Sequence, residues 1–248
     1  GNLNLKWEKA RQQNYGLDIN FLNGFSFNFD YFREMRDDIL VARSTVPLVQ
    51  GLPSSVLPRV NMGKVENHGY EMVLGWQKAL GKDWFITMSG NYNFARNKVL
   101  EADEVRLQTG RGGYLYPYRQ TGFPIGQTWV LQVDYKDGAG NGYINTEEDL
   151  AKYKSMYEQG GFVNAFLGQW KFVDQNGDGL IDNKDQIPYG YPSGTPEITY
   201  GASMSLSWKN LDFSMQWQGV GHKQGVYVLG MFGNGHLTGE WETHAWTK

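Results

Sequence analysis

Large apolar residues recur at every second position in six segments of the chain, with small or polar residues between them. A period of two belongs to a β-strand with one greasy and one wet face. In the first segment Tyr15, Leu17, Ile19 and Phe21 alternate with Gly16, Asp18 and Asn20. After Asn23-Gly24, a strong hairpin signal, come Phe25, Phe27, Phe29 and Tyr31. The third segment carries His68, Tyr70, Met72, Leu74 and Trp76, and the fourth Trp84, Ile86, Met88, Tyr92 and Phe94. Tyr200, Ala202, Met204, Leu206 and Trp208 make the fifth; Leu211, Phe213, Met215 and Trp217 make the sixth. The pattern predicts strands over about 9–22, 25–36, 65–77, 84–95, 199–208 and 211–219.

The connections fall into two classes. Those at 22–24, 78–82 and 209–210 are short, whereas those at about 37–64 and 97–198 are long. Short turns at one end and long loops at the other are the layout of a bacterial outer-membrane barrel. The strand at 84–95 leads away from a short turn and that at 199–208 leads into one, so an even number of crossings separates them. Zero is simplest. Residues 97–198 then form one extracellular excursion, with 127–135 (QTWVLQVDY) a strand inside it.

The position of the aromatics bears on what the greasy face meets. Phe21, Phe25, Trp76, Trp84 and Trp208 lie beside the short turns; Tyr15, Tyr31, Tyr70, Tyr92, Tyr200 and Trp217 lie at the opposite strand ends. Two aromatic belts six or eight residues apart span about 15–20 Å at a tilt of roughly 35–45°, within an apolar band about 25 Å tall. A soluble β-sandwich also alternates, but it has no reason to sort aromatics to both strand ends. The wet face is rich in Ser, Asn, Gly and Gln, which suits a water-filled lumen. The fold class expected is all-β: part of a transmembrane antiparallel β-barrel with long extracellular loops.

Composition changes this picture little. The chain has 248 residues, a net charge of -3, no cysteine and four histidines without metal-ligand spacing. So small a charge argues against nucleic acid as the main partner. Mean hydropathy is -0.53, yet a barrel wall averages out as polar because lipid-facing and water-facing residues alternate. There is no signal peptide and no run of 18 apolar residues that would make a membrane helix. Six strands are too few to close a bacterial barrel, whose minimum is about eight, so a larger parent protein is expected.

Several phrases resemble the SusC/RagA family of TonB-dependent transporters. They are NYGLDINFLNGFSFNFDYFREMRDDIL (14–40), LPRVNMGKVENHGYEM (57–72), NYNFARNKV (91–99), TGFPIGQ (121–127), KFVDQNGDGLID (171–182) and PEITYGASMSLSWKNLDFSMQWQGVG (196–221). Asn61, Gly63, Val65, Asn67, Gly69 and Glu71 match that family's N-x-G-x-V-x-N-x-G-x-E signature. The resemblance implies that residues 1–248 are the C-terminal part of a plugged barrel of ~22 strands in a Gram-negative outer membrane. It implies a SusD-like surface lipoprotein as lid, import of oligosaccharides or peptides driven by TonB through a plug, and a plug and TonB box outside this chain. Pairing of two transporter–lipoprotein units is also within the family's range.

Three features of the long loop carry candidate chemistry. DQNGDGLIDNKD (174–185) fits a twelve-residue calcium loop, with Asp174, Asn176, Asp178, the Leu180 carbonyl, Asp182 and Asp185 at positions 1, 3, 5, 7, 9 and 12. An Asx-rich turn that satisfies its own backbone is the alternative. TEEDLAKYKSMYEQG (146–160) predicts a short helix with Thr146 as cap, Asp149 completing a capping box, and Leu150, Tyr153 and Tyr157 on one face. Tyr114, Tyr116 and Tyr118, with Arg111 and Arg119, are candidate substrate contacts through aromatic faces and hydrogen-bonding groups. No catalytic constellation stands out, so no enzymatic activity is expected. The competing functional reading is a calcium-stabilised extracellular glycan-binding or adhesion domain, with its aromatics in a core and on a ligand face.

Overall fold

The computed structural model describes residues 4–43, 56–104, 119–138, 140–161, 165–192 and 194–225. Six long strands form one antiparallel sheet in the order β1-β2-β3-β4-β7-β8. They are β1 (Lys9–Phe21), β2 (Phe25–Val41), β3 (Val60–Leu80), β4 (Trp84–Glu101), β7 (Ile198–Trp208) and β8 (Leu211–Gly221). A second unit, centred on residues 128–189, holds β5 (Trp129–Leu131), helix α1 (Glu147–Gly160) and β6 (Gln186–Pro188). Strand β5 is shorter than the 127–135 expected and pairs antiparallel with β6.

The register aligns the alternating residues across the sheet. Tyr15 lies opposite Tyr31 and Tyr31 opposite Tyr70; Tyr70 lies opposite Phe94, and Tyr92 opposite Tyr200. Cross-strand neighbours share a face, so the greasy residues form one continuous surface. Both aromatic belts contain neighbouring ring pairs. Near the short turns, ring centroids are 5.6 Å apart for Phe21–Phe25, 5.9 Å for Phe25–Trp76 and 5.3 Å for Trp84–Trp208. At the other end Tyr15–Tyr31 are 6.4 Å apart, Tyr70–Tyr92 6.0 Å and Tyr70–Phe94 5.4 Å.

The opposite face is polar and finely packed. Ser89 and Ser203 share a hydrogen bond of 2.8 Å, and Asn93 donates to Thr199 Oγ1 at 3.1 Å. Along β3 the signature positions Val65, Asn67, Gly69 and Glu71 all lie on this side, so the motif is a reading of the wall's inner surface. Asn61 ties down the other end of the same motif. Its amide donates to the carbonyls of Lys6 and Asp38 at 2.8 Å each, the latter at a bulge where the β2–β3 register shifts and Asp38 has φ of 59°.

The first hairpin turns where expected, through Leu22, Asn23 and Gly24, all at positive φ; Phe21 pairs directly with Phe25. Gly24 is required there because its carbonyl accepts from Gln77 N at 2.9 Å, and a Cβ would strike the Gln77 carbonyl. Strands β2, β3 and β4 run farther than expected, on to Val41, back to Val60 and on to Glu101. Beyond the tyrosine belt charged residues such as Asp37, Asp38, Arg96 and Lys98 mix with apolar Ile39, Leu40 and Val99, so the apolar/polar contrast that marks a strand in sequence disappears while the backbone pairing continues.

Among the described residues, the buried apolar cluster lies in the second unit: Ile144, Tyr153, Tyr157 and Ile181, with Leu131, Leu150 and Phe172 against it. The sheet has no such core, as expected for a wall with lipid on one side and the lumen on the other. No helix of the described residues is long and apolar enough to cross a membrane.

Candidate functional site

The second unit is built on a small antiparallel arrangement of three segments. Val133 bridges Phe172 and Tyr143 bridges Trp170. Asp134 N donates to the Lys171 carbonyl at 2.8 Å, and Lys171 N to the Gly142 carbonyl at 2.7 Å. Helix α1 packs onto these segments. It starts as expected at Thr146, whose side chain accepts from Asp149 N at 3.1 Å, and ends at Gly161 with φ of 67°. Tyr157 Oη donates to the Trp170 carbonyl at 2.7 Å and accepts from Phe172 N at 3.1 Å. Burial pushes the Tyr157 phenol up to about 12, so it stays a donor at any physiological pH.

The Asp149 carboxylate, expected to complete the capping box, turns to other partners. It accepts from Asn145 N at 3.4 Å and lies 3.0 Å from Lys171 Nζ. Lys171 is fully buried; its ammonium also reaches the Asp137 carbonyl at 3.4 Å. Asp137 in turn accepts from Lys152 Nζ and Tyr153 Oη, each at 3.0 Å. Burial works against the charge on Asp149, but Lys171 and the Asn145 N–H bring it below the usual carboxylate range. The Lys152 hydrogen bond leads in holding Asp137 below that range. A buried ammonium flanked by two carboxylates is costly to desolvate and costlier to break, so these groups fix the start of α1 on the loop around residue 137.

Residues 174–185 form a loop satisfied largely by its own backbone. Asp174 accepts from Gly177 N at 2.7 Å and Gly179 N at 2.8 Å; Asn176 accepts from Asp178 N and Asp178 from Leu180 N, both at 2.9 Å. Asp182 caps the short 3₁₀ turn Asn183–Asp185. Asp185 is fully buried and accepts from Gln175 N at 2.9 Å, Asn176 N at 3.5 Å and Asp182 N at 2.8 Å. Burial raises its carboxyl, against the pull of those three N–H groups. Lys184 Nζ stands 3.2 Å from Asp182 and 3.9 Å from Asp178, so an ammonium supplies positive charge to the oxygens a cation would draw on. Among the described residues, no three carboxylate or imidazole groups converge to hold a metal. The oxygen donors of the first five positions suit a hard cation. Asp185 is instead the loop's internal clamp, and Ile181 anchors the loop in the apolar cluster.

Of the candidate substrate contacts, Tyr114, Tyr116 and Tyr118, with Arg111, lie outside the described residues; Arg119 is exposed. The structure brings forward an aromatic group that sequence reading missed. Tyr143 and Trp170 stack with centroids 4.1 Å apart at 26°. Tyr135 lies near the same strand segment, beside Gly142. Tyr135 is 59% exposed and Trp170 38%, and the Tyr135 ring rests by Gly142, where a Cβ would come within 3.1 Å of it. These residues are 27 and 8 positions apart along the chain, so no local spacing advertised them.

Comparison with known proteins places this geometry in context. A family model described as TonB dependent receptor-like, beta-barrel, matches residues 1–230. TonB-dependent receptor P3 of Formosa agariphila is 30% identical over 94% of this chain, and TonB-dependent receptor SusC of Bacteroides thetaiotaomicron 27% identical over 94%. The chain spans 22% of the length of each. Among solved structures, the RagAB peptide transporter superposes with a TM-score of 0.57 at 22% identity, over 90% of this chain and 22% of that one.

Proposed function

This chain belongs to the TonB-dependent receptor-like β-barrel family, and on that premise we propose that it supplies wall and loop to an outer-membrane importer of nutrient oligomers. The observation that carries the reading is the wall itself: an apolar face bounded by two aromatic belts, backed by an inner face rich in small hydroxyl and amide side chains with carboxylates such as Asp18, Asp30 and Glu71 among them. Such an inner face offers hydrogen-bonding groups to hydroxyl-rich or peptide cargo. Oligosaccharides are the first substrate class we propose, with Tyr135, Tyr143 and Trp170 as stacking surfaces alongside Tyr114, Tyr116, Tyr118 and Arg119. Peptides are the second, suggested by a fold neighbour that is a peptide transporter. The working unit in this reading includes a SusD-like surface lipoprotein over the extracellular mouth and TonB acting through a plug.

The test is extraction of the full-length parent from native membranes in mild detergent, followed by identification of what elutes with it. A stoichiometric surface lipoprotein supports the reading, and the glycans or peptides that bind the pair name the cargo. A parent that elutes alone and takes up neither class overturns it.

Calcium in the 174–185 loop is a second part of the proposal, with Asp174, Asn176, Asp178, Leu180 and Asp182 as donors and Asp185 closing the loop behind them. Its role is a staple: a bound ion would displace Lys184 from the carboxylates and hold the loop in its present turn. Isothermal calorimetry of the chelator-treated parent with Ca²⁺ alone should give one binding event that D174N/D178N abolishes. No heat and no change in melting temperature would remove the staple.

A further inference from the structure

The long loop returns to the wall through a small polar cluster above the tyrosine belt. Ile198 opens β7 opposite Gly221, the last residue of β8. Pairing goes one residue farther: Ala95 N donates to the Glu197 carbonyl at 2.9 Å, and Glu197 N to the His222 carbonyl at 3.2 Å. His222 then turns the chain at φ of 49°, a conformation uncommon for a residue with a Cβ. Ahead of β7, Gly190 and Tyr191 lie against the same turn. Tyr191 N donates to Gln224 Oε1 at 3.1 Å, and a Cβ on Gly190 would strike that oxygen. The Tyr191 ring stacks on the His222 imidazole, with centroids 4.1 Å apart and planes within 10°.

Glu197 organises the cluster. It is 6% exposed and accepts two hydrogen bonds from Arg96, Nε at 2.8 Å and Nη2 at 2.6 Å. His222 Nδ1 supplies a third at 3.2 Å. An ionised carboxylate only accepts, so the neutral imidazole carries its proton on Nδ1. Burial works against the charge on Glu197, but Arg96 and then His222 hold its carboxyl below the usual range. Histidine is the side-chain type here that changes charge between about pH 5 and 8. A second ring proton, on Nε2, would make the Nδ1 bond charge-assisted, roughly twice as strong as a neutral one. It would also set a cation over the Tyr191 ring. Two like charges oppose it. Arg96, from β4, is separated from the imidazole by the carboxylate that both hold; Lys223, next in the chain, is exposed and screened by salt. The attraction to Glu197 acts over the shorter distance, so it wins.

We infer that Tyr191, His222 and Glu197 form an acid-tightened latch that holds the return of the long loop to the rim of the wall. In mild acid the imidazolium is clamped between the Glu197 carboxylate and the Tyr191 ring, and Tyr191 carries Gly190 with it. At neutral pH an ordinary hydrogen bond and a neutral stack remain, and the return releases more often. The latch uses only wall residues and the loop return, so it does not depend on which cargo the barrel passes.

The experiment is hydrogen exchange of the purified full-length protein in detergent at about pH 8 and about pH 5, corrected for intrinsic exchange rates. Peptides covering 189–197 report the latch, and peptides of β7 are the reference. Wild type should show roughly fivefold greater protection of 189–197 at the lower pH, the size of gain that a cation–π contact and a charge-assisted bond supply together. H222N should lose that pH dependence while staying folded, because asparagine tolerates positive φ. Y191L removes only the ring and should keep part of the dependence, which covers the case in which H222N disturbs the turn. A purely structural role for His222 would lower protection in H222N equally at both pH values, and that result overturns the inference. So does wild-type protection that is flat with pH, or that falls in acid because repulsion from Arg96 prevails.

Discussion

The ring of Phe32 occupies the space that a side chain at residue 69 would need: a Cβ on Gly69 would lie 2.7 Å from Phe32 Cζ and would also strike the Phe94 carbonyl. Phe32 is the one aromatic that breaks the alternation of FSFNFDYF, turned to the inner face of the wall. It is accommodated because its partner in register across β3 is a glycine. Gly69→Ala should cost about 1–3 kcal/mol through overpacking. Truncating the ring as well, in F32A/G69A, should recover only part of it, since the backbone contact remains. The heat-modifiable gel shift of the full-length barrel against temperature reads this directly.

Neighbouring residues on one strand should respond oppositely to the same substitution. Leu74 lies on the greasy face opposite Phe27, and Val73 on the inner face opposite Asn28. Arginine at position 74 should destabilise the barrel by about 2–4 kcal/mol, the range for a charge facing mid-bilayer. Arginine at 73 should cost much less. Urea titration of the refolded parent in vesicles compares them; a larger cost at 73 would mean that the two faces have been exchanged, and equal costs would remove the lipid–lumen distinction between them.

The loop unit should have a defined acid limit. Asp137 and Asp149 have folded values lowered from an unfolded value near 3.9, so their stabilisation is present above that value and is lost as pH falls through the lower, folded ones. Asp185 has the opposite sign: its raised value means that protonation on the way down relieves a cost. Stability should therefore hold or rise slightly as pH approaches 4 and then fall below it. Hydrogen exchange in α1 of the full-length protein measures the profile. K171M/D149N/D137N should flatten the acid-side fall, and an unchanged profile would remove these carboxylates from the account.

Substrate contact through the aromatic group has a simple readout. If cargo stacks there, W170A and Y143A should each weaken binding of the oligomer by roughly tenfold, about 1.4 kcal/mol, with the α1 exchange pattern retained. Tyr135→Ala should do the same, because that ring is the most exposed of the three. Unchanged affinity in all three would move substrate contact elsewhere in the protein.

Much of the wall was legible because its rules are local. Side-chain direction alternates with each residue, so Phe25, Phe27 and Phe29 announce one face without reference to any other strand. The extensions of β2, β3 and β4 were illegible for the same reason reversed: above the belt charged and apolar residues mix, and neither Asp37-Asp38 in β2 nor Arg96, Asn97 and Lys98 in β4 carry that contrast. Helix α1 could be read from Thr146 and the spacing of Leu150, Tyr153 and Tyr157. The second arm of its expected capping box could not, because Asp149 is drawn instead to Lys171, 22 positions away.

By itself, then, the sequence determined which residues share a face, where the short turns fall and which family's phrases the chain carries, all of which depend on spacing within a few residues. Only the tertiary structure decided that Lys171 is buried, that Asp185 clamps its loop, that Tyr143 and Trp170 stack, and that Arg96 finds Glu197 across 101 positions. Those outcomes turn on which distant groups share desolvated space, and burial and ion pairing depend on distance in space rather than along the chain.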